Sequence, residues 1–89
     1  MYYVYMIKNS INGLYIGITQ DPTQRVLTHN KKQGAQFTKI TSDFAIVFLE
    51  EHETLANARK REIQLKKWRR EKKETLIKRY FDGLPTKQK

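Results

Sequence analysis

The chain is predicted to form one α+β domain in the order strand, strand, helix, strand, helix, helix, and three observations predict it. Two segments rich in aromatic and β-branched residues, Tyr2 to Lys8 and Leu14 to Thr19, flank Asn12-Gly13, a strong short-range hairpin signal. A third apolar run of strand length, Phe44 to Glu50, follows a segment with helix-start chemistry. After it the spacing changes to helical steps of three and four residues.

The first two strands pair antiparallel around Asn12-Gly13. Asn9 and Ser10 can lengthen that turn, so the register stays open. Asp21 is a good N-cap, Pro22 suits the first helical position, and Gln24 stands three residues after the cap. The first helix is expected to reach about Lys32 and stop at Gly34. Residues 34–43 read as a loop, and Phe44 to Glu50 as a well-buried third strand. Thr54 can cap a second helix from about Leu55. Leu55, Ala58, Glu62 and Leu65 then fall on one side of it, which puts Glu62 in the middle of the apolar stripe. Trp68, Leu76, Ile77, Tyr80 and Phe81 continue the pattern, bent near Trp68 to Arg70 although no Pro or Gly marks a break. The domain is expected to span residues 1–82, with 83–89 a polar tail that is mobile from Thr86 onward.

Composition narrows the chemistry. Thirty-eight per cent of the 89 residues are hydrophobic and 11% aromatic, as in a folded protein. There is no cysteine, hence no disulfide and no thiolate zinc site, and His29 and His52 lie too far apart in sequence to suggest an all-histidine site. No segment has the roughly 18 uncharged residues of a membrane span, and a cytoplasmic location is expected. The formal charge is +9. Arg59 to Lys73 holds nine bases against two acids, Glu62 and Glu71, which makes either a polyanion-binding stripe or a solvated helix face.

A carboxylate on a core-facing stripe needs a partner, because burying an unpaired charge costs several kcal/mol. For Glu62 a hard divalent ion is one answer. An ion pair with Arg25 or a neighbouring base is another, and a frayed helix that leaves Glu62 in water is a third. Arg25 and His29, four residues apart, share a helix face; there they are either ordinary surface cations or a phosphate clamp beside a proton carrier. Tyr3, Tyr5 and Tyr15 read alone as sheet packing.

Tyr3-Val4-Tyr5, nine intervening residues and Tyr15-Ile16-Gly17 together resemble the GIY-YIG nuclease superfamily, and more closely its small single-domain bacterial members related to the nuclease half of the repair protein UvrC. The resemblance runs from about Tyr2 to Ile77. It takes in Arg25, the loop Gly34-Ala35-Gln36-Phe37-Thr38-Lys39, and Arg61-Glu62 followed by Leu65-Lys66-Lys67-Trp68. It implies a three-stranded antiparallel sheet flanked by helices. It also implies that Glu62 is the sole protein ligand of one Mg or Mn ion, and that Arg25 stabilises the attacked phosphate. Tyr5 and Tyr15 would line the site, one of them taking the proton of the attacking water, while His29 would help to position the nucleophile or the leaving group. The chain departs from the pattern in two respects: the first motif begins with Tyr3 in place of Gly and has Val4 at its centre, and Ile18 and Glu74 stand where several larger members carry lysine and asparagine.

The expected activity is metal-dependent endonucleolytic hydrolysis of DNA, selective for single-stranded, flapped or branched structure, in repair or processing; RNA is the alternative substrate. Lys39, Lys66, Lys67, Arg69 and Arg70 are the candidates for holding the nucleic-acid backbone. A nucleic-acid-binding module without turnover is the second reading. A monomer is expected, with a homodimer through Trp68, Tyr80 and Phe81 as the alternative.

Overall fold

A computed structural model describes residues 1–36 and 43–87, without the side chains of His29 and residues 31–36. Its elements are β1 (Tyr2–Lys8), β2 (Leu14–Thr19), α1 (Pro22–Gln36), β3 (Ala45–His52), α2 (Leu55–Lys66) and α3 (Arg70–Phe81). The strands form one antiparallel sheet in the order β2-β1-β3, the predicted α+β architecture. No helix among the described residues is long and apolar enough to cross a membrane.

The central strand is buried on both faces, which explains its unbroken apolar character. Val4 and Met6 join Phe48 of β3 on one face, where Ala58 and Leu65 of α2 and Leu76 and Ile77 of α3 cover them. Tyr5 and Ile7 point to the other face with Phe44, packed by Val26 of α1, Ile46 and Leu49. Each fully buried large side chain, such as Phe48, Met6 or Leu65, contributes roughly 1.5–3 kcal/mol relative to exposure.

The hairpin loop spans Asn9 to Gly13, since Lys8 faces Leu14. Asn12, with φ of 68°, takes the left-handed conformation that the tight return requires. The Asn9 side chain accepts from the Gly13 amide at 2.6 Å, and the Asn9 amide donates to the Gly13 carbonyl at 3.1 Å. Tyr5 faces Gly17 on one side and Leu49 on the other, and a bulge between Met6 and Ile7 shifts the β3 register.

Asp21 and Thr54 cap as expected: Asp21 Oδ1 accepts from the Gln24 amide at 3.1 Å and Thr54 Oγ1 from the Asn57 amide at 3.1 Å. The first helix does not stop at Gly34 but continues to Gln36. A glycine within a helix costs about 1 kcal/mol relative to alanine, too little to end one by itself. The Asn30 side chain holds both the amide and the carbonyl of Phe44, at 2.7 and 3.1 Å, and so ties α1 to the start of β3.

The break between α2 and α3 falls at Lys67 to Arg69, where the Lys67 and Trp68 amides turn back to the Gln64 and Leu65 carbonyls. Long-range bonds set it: Arg70 Nη2 donates to the backbone and side-chain oxygens of Asn12, at 3.0 and 2.9 Å. At the far end of α3, Gly83 with φ of 73° closes a Schellman motif, the Gly83 and Leu84 amides donating to the Tyr80 and Arg79 carbonyls. The segment beyond was expected to be mobile from Thr86, yet it folds back onto β3. Thr86 Oγ1 donates to Glu50 Oε2 at 2.8 Å, and Lys87 Nζ donates to the Glu51 carbonyl.

Candidate active site

Tyr5 lies at the centre of the sheet, only 8% exposed, with its ring laid across Gly17 of β2. A Cβ at Gly17 would stand 2.5 Å from the Tyr5 hydroxyl and 2.8 Å from its ring, so this close approach is open only to glycine. The glycine that ends the second tripeptide thus makes room for the tyrosine that ends the first. Tyr15 is on the same face two residues earlier along β2, 46% exposed, its ring edge-on to Phe44 at 5.3 Å.

Charges from two helices act on the Tyr5 hydroxyl. Burial raises its pKa above the ordinary tyrosine value, the Arg25 guanidinium from the first turn of α1 lowers it, and the Glu62 carboxylate from α2 raises it, with a net increase. Tyr5, Arg25 and Glu62 therefore occupy one neighbourhood, although they come from three elements. Because the folded state holds this proton more tightly than the unfolded chain, the associated stability is present below the ordinary tyrosine pKa. It is lost as pH rises through the higher folded value. In the metal-free protein, the ultraviolet absorbance difference between wild type and Tyr5→Phe is expected to reveal a phenol titrating above pH ~10. A titration at or below that pH would contradict this electrostatic picture.

Glu62 does not occupy the middle of the apolar stripe. The buried line of α2 is Ala58, Arg61 and Leu65, while Leu55 is 43% exposed and Glu62 sits at the stripe's margin. Both lines satisfy steps of three and four; a partner on β3 selects the observed one. Glu50, 4% exposed, accepts from Arg61 Nε at 2.9 Å and Nη2 at 3.3 Å, from Thr86, and pairs with His52 Nε2 at 2.8 Å. Arg61 completes its donors with the Gln64 side chain and the Thr86 carbonyl. No local spacing signalled this network. Its only sequence trace is Glu50 at the end of an apolar strand.

Of the alternatives open for Glu62, the structure shows a neighbouring base: Lys66 Nζ lies 3.2 Å from Oε2, one helical turn away. The ammonium covers a carboxylate whose side chain is 13% exposed. Among the described residues no group of three or more His, Asp or Glu side chains could hold a metal. A single carboxylate, once Lys66 gives way, suits a hard ion such as Mg, which keeps several waters and takes substrate oxygens, and does not suit an ion needing an all-protein cage.

The basic residues do not form one stripe. Lys67 and Arg69 are exposed at the bend, whereas Arg70 is held by Asn12 and Glu74, with Nε 2.8 Å from the Glu74 carboxylate. Glu74, at the position where larger relatives of the motif carry asparagine, also takes Lys8 Nζ at 2.9 and 3.0 Å. Hydrogen bonds from Arg70 and then Lys8 hold its pKa below the usual carboxylate value. It pins α3 to β1. His29 lies on α1, but its side chain is outside the described residues, as is Lys39 entirely.

The model of the family described as the GIY-YIG catalytic domain matches residues 1–75. UPF0213 proteins of Staphylococcus aureus strains Mu3 and N315 are each 42% identical to this chain over 77 residues, 86% of this chain and 94% of theirs. The solution NMR structure of a UPF0213 protein of Bacillus halodurans is similar with a TM-score of 0.56 and 29% identity, across 88% of this chain and 84% of that one.

Proposed function

This chain belongs to the GIY-YIG catalytic domain family, a family of nucleases, and from that premise we propose that it is a metal-dependent endonuclease hydrolysing phosphodiester bonds in DNA. The observation that carries the reading is that the charges of both Arg25 and Glu62 act on the buried Tyr5 hydroxyl of the central strand. Glu62 would hold one Mg or Mn ion, which would supply Lewis-acid polarisation of the phosphate and offset charge on the leaving oxygen. Arg25 neutralises charge gathering on the phosphoryl oxygens as water attacks in line with the departing 3′ oxygen. Tyr5 or Tyr15 would accept the proton of that water as a phenolate, the form that a bound cation and Arg25 would have to favour over the neutral phenol of the metal-free protein, and His29 would orient the nucleophile or the leaving group. The P–O3′ bond breaks as the new P–O bond forms, leaving 5′-phosphate and 3′-hydroxyl ends.

Lys67 and Arg69, together with Lys39, are the proposed backbone contacts, giving salt-sensitive affinity without sequence readout. So small a domain has little surface for reading bases, which favours substrates selected by structure: single-stranded, flapped or branched DNA in repair or processing in the cytoplasm. Purified protein with Mn or Mg is expected to cleave at least one member of a labelled panel of such DNAs and to stop on chelation. No cleavage of any DNA or RNA in either metal would sink the proposal. Salt-dependent binding that persists in Glu62→Ala would then leave a binding module, a reading favoured by the structural role of Glu74.

A further inference from the structure

Next to this site lies a cavity of about 410 Å³ lined by two arginines, Arg25 from α1 and Arg59 from α2. Its apolar lining is Tyr2, Ile18 and Leu55, the last 43% exposed. Asp21 also lines it, with one carboxylate oxygen accepting from the Gln24 amide as the α1 cap. Arg61 is paired with Glu50, Arg70 with Glu74 and Lys66 with Glu62, whereas neither Arg25 nor Arg59 makes a salt bridge among the described residues.

We propose that this cavity binds one nucleotide flanking the scissile phosphodiester, with its phosphate on Arg59, Arg25 bridging it to the scissile phosphate, and its base or sugar against Tyr2 and Leu55. This rests on the nuclease reading above and deepens it. Three physical features support it. Two arginines line one cavity, and a guanidinium fork matches phosphate oxygens. An aromatic and apolar wall beside such a pair has the character of a nucleotide site, since bases present a π-face to stack. Arg59 precedes Glu62 by three residues and so lies on the same side of α2, one turn toward its N-terminus, which sets the cavity directly beside the cleavage centre. The volume is within the roughly 300–1,000 Å³ usual for small-ligand sites.

The test separates binding from turnover. In metal-free protein, thymidine 5′-monophosphate is expected to shift the backbone NMR signals of Tyr2, Ile18, Leu55 and Arg59, and thymidine without phosphate to shift them far less. Arg59→Ala, an exposed position whose variant spectrum reports whether it is folded, is expected to weaken that binding about tenfold, with Arg59→Lys intermediate. In cleavage assays with Mn, Arg59→Ala raises KM by about the same factor and leaves kcat within roughly twofold, as expected for uniform binding lost. Unchanged binding and unchanged KM in folded Arg59→Ala would overturn the subsite while leaving the nuclease reading intact. Phosphate-dependent binding at Arg59 in a protein that cleaves nothing would keep the subsite and overturn turnover.

Discussion

Replacing Glu62 by alanine is expected to lower DNA cleavage by about three orders of magnitude, and Arg25→Ala by about 10²–10³, both read as kcat in Mn at saturating DNA. In the proposed mechanism both would offset the same developing charge. A divalent ion held by Glu62 would supply several kcal/mol of transition-state stabilisation without moving a proton. Arg25, in the first turn of α1 with its own amide bonded to the Asp21 carbonyl at 3.0 Å, is set on a capped and rigid helix end. A second measurement ties the loss to electrostatics and not to unfolding. Because the Glu62 carboxylate raises the Tyr5 pKa, metal-free Glu62→Gln is expected to show Tyr5 titrating at lower pH than in wild type. Equal cleavage by wild type and both alanine variants would remove Glu62 and Arg25 from the mechanism; an unmoved Tyr5 titration would separate Glu62 from Tyr5.

Arg61→Ala is expected to destabilise the domain by about 3–5 kcal/mol, although Arg61 is next to Glu62 and carries no proposed chemistry. The side chains of Arg61 and Glu50 are 9% and 2% exposed, and Glu50 takes two bonds from the guanidinium. Removing the arginine leaves a buried carboxylate with only His52 and Thr86. Against the 5–15 kcal/mol total of a typical domain this is a large share, and it should appear as a lower urea midpoint. Replacing both partners, as Glu50→Leu with Arg61→Met, is expected to recover most of the loss, since no unpaired charge then remains. Destabilisation of the double variant as great as that of Arg61→Ala would show that the charges themselves, not the stranded Glu50, matter. The same pair fixes which side of α2 faces the sheet, and through it the direction in which Glu62 projects.

Much of this molecule is written locally. Asp21 and Thr54 cap helices because each side chain reaches an amide three residues on, and that reach needs no tertiary partner. The doubly covered central strand is legible in Val4-Tyr5-Met6-Ile7, and the domain's tyrosine-glycine motif in Tyr5 and Gly17, which touch across one strand pair. Element order and α+β class follow from such signals, whose range is a few residues.

What only the tertiary structure decided involves partners far apart in the chain. Whether Arg61 or Glu62 turns inward depended on Glu50, eleven residues before Arg61; both candidate stripes advance in steps of three and four. Arg70, a plausible phosphate contact by composition, is bound to Asn12 across 58 positions, and Thr86 returns to Glu50 across 36. Arg59, indistinguishable in sequence from its neighbours in the basic run, is set apart by facing a cavity it shares with Arg25. Periodicity and capping report a residue's own helix or strand, whereas charge compensation depends on which distant side chain the fold brings within about 3 Å.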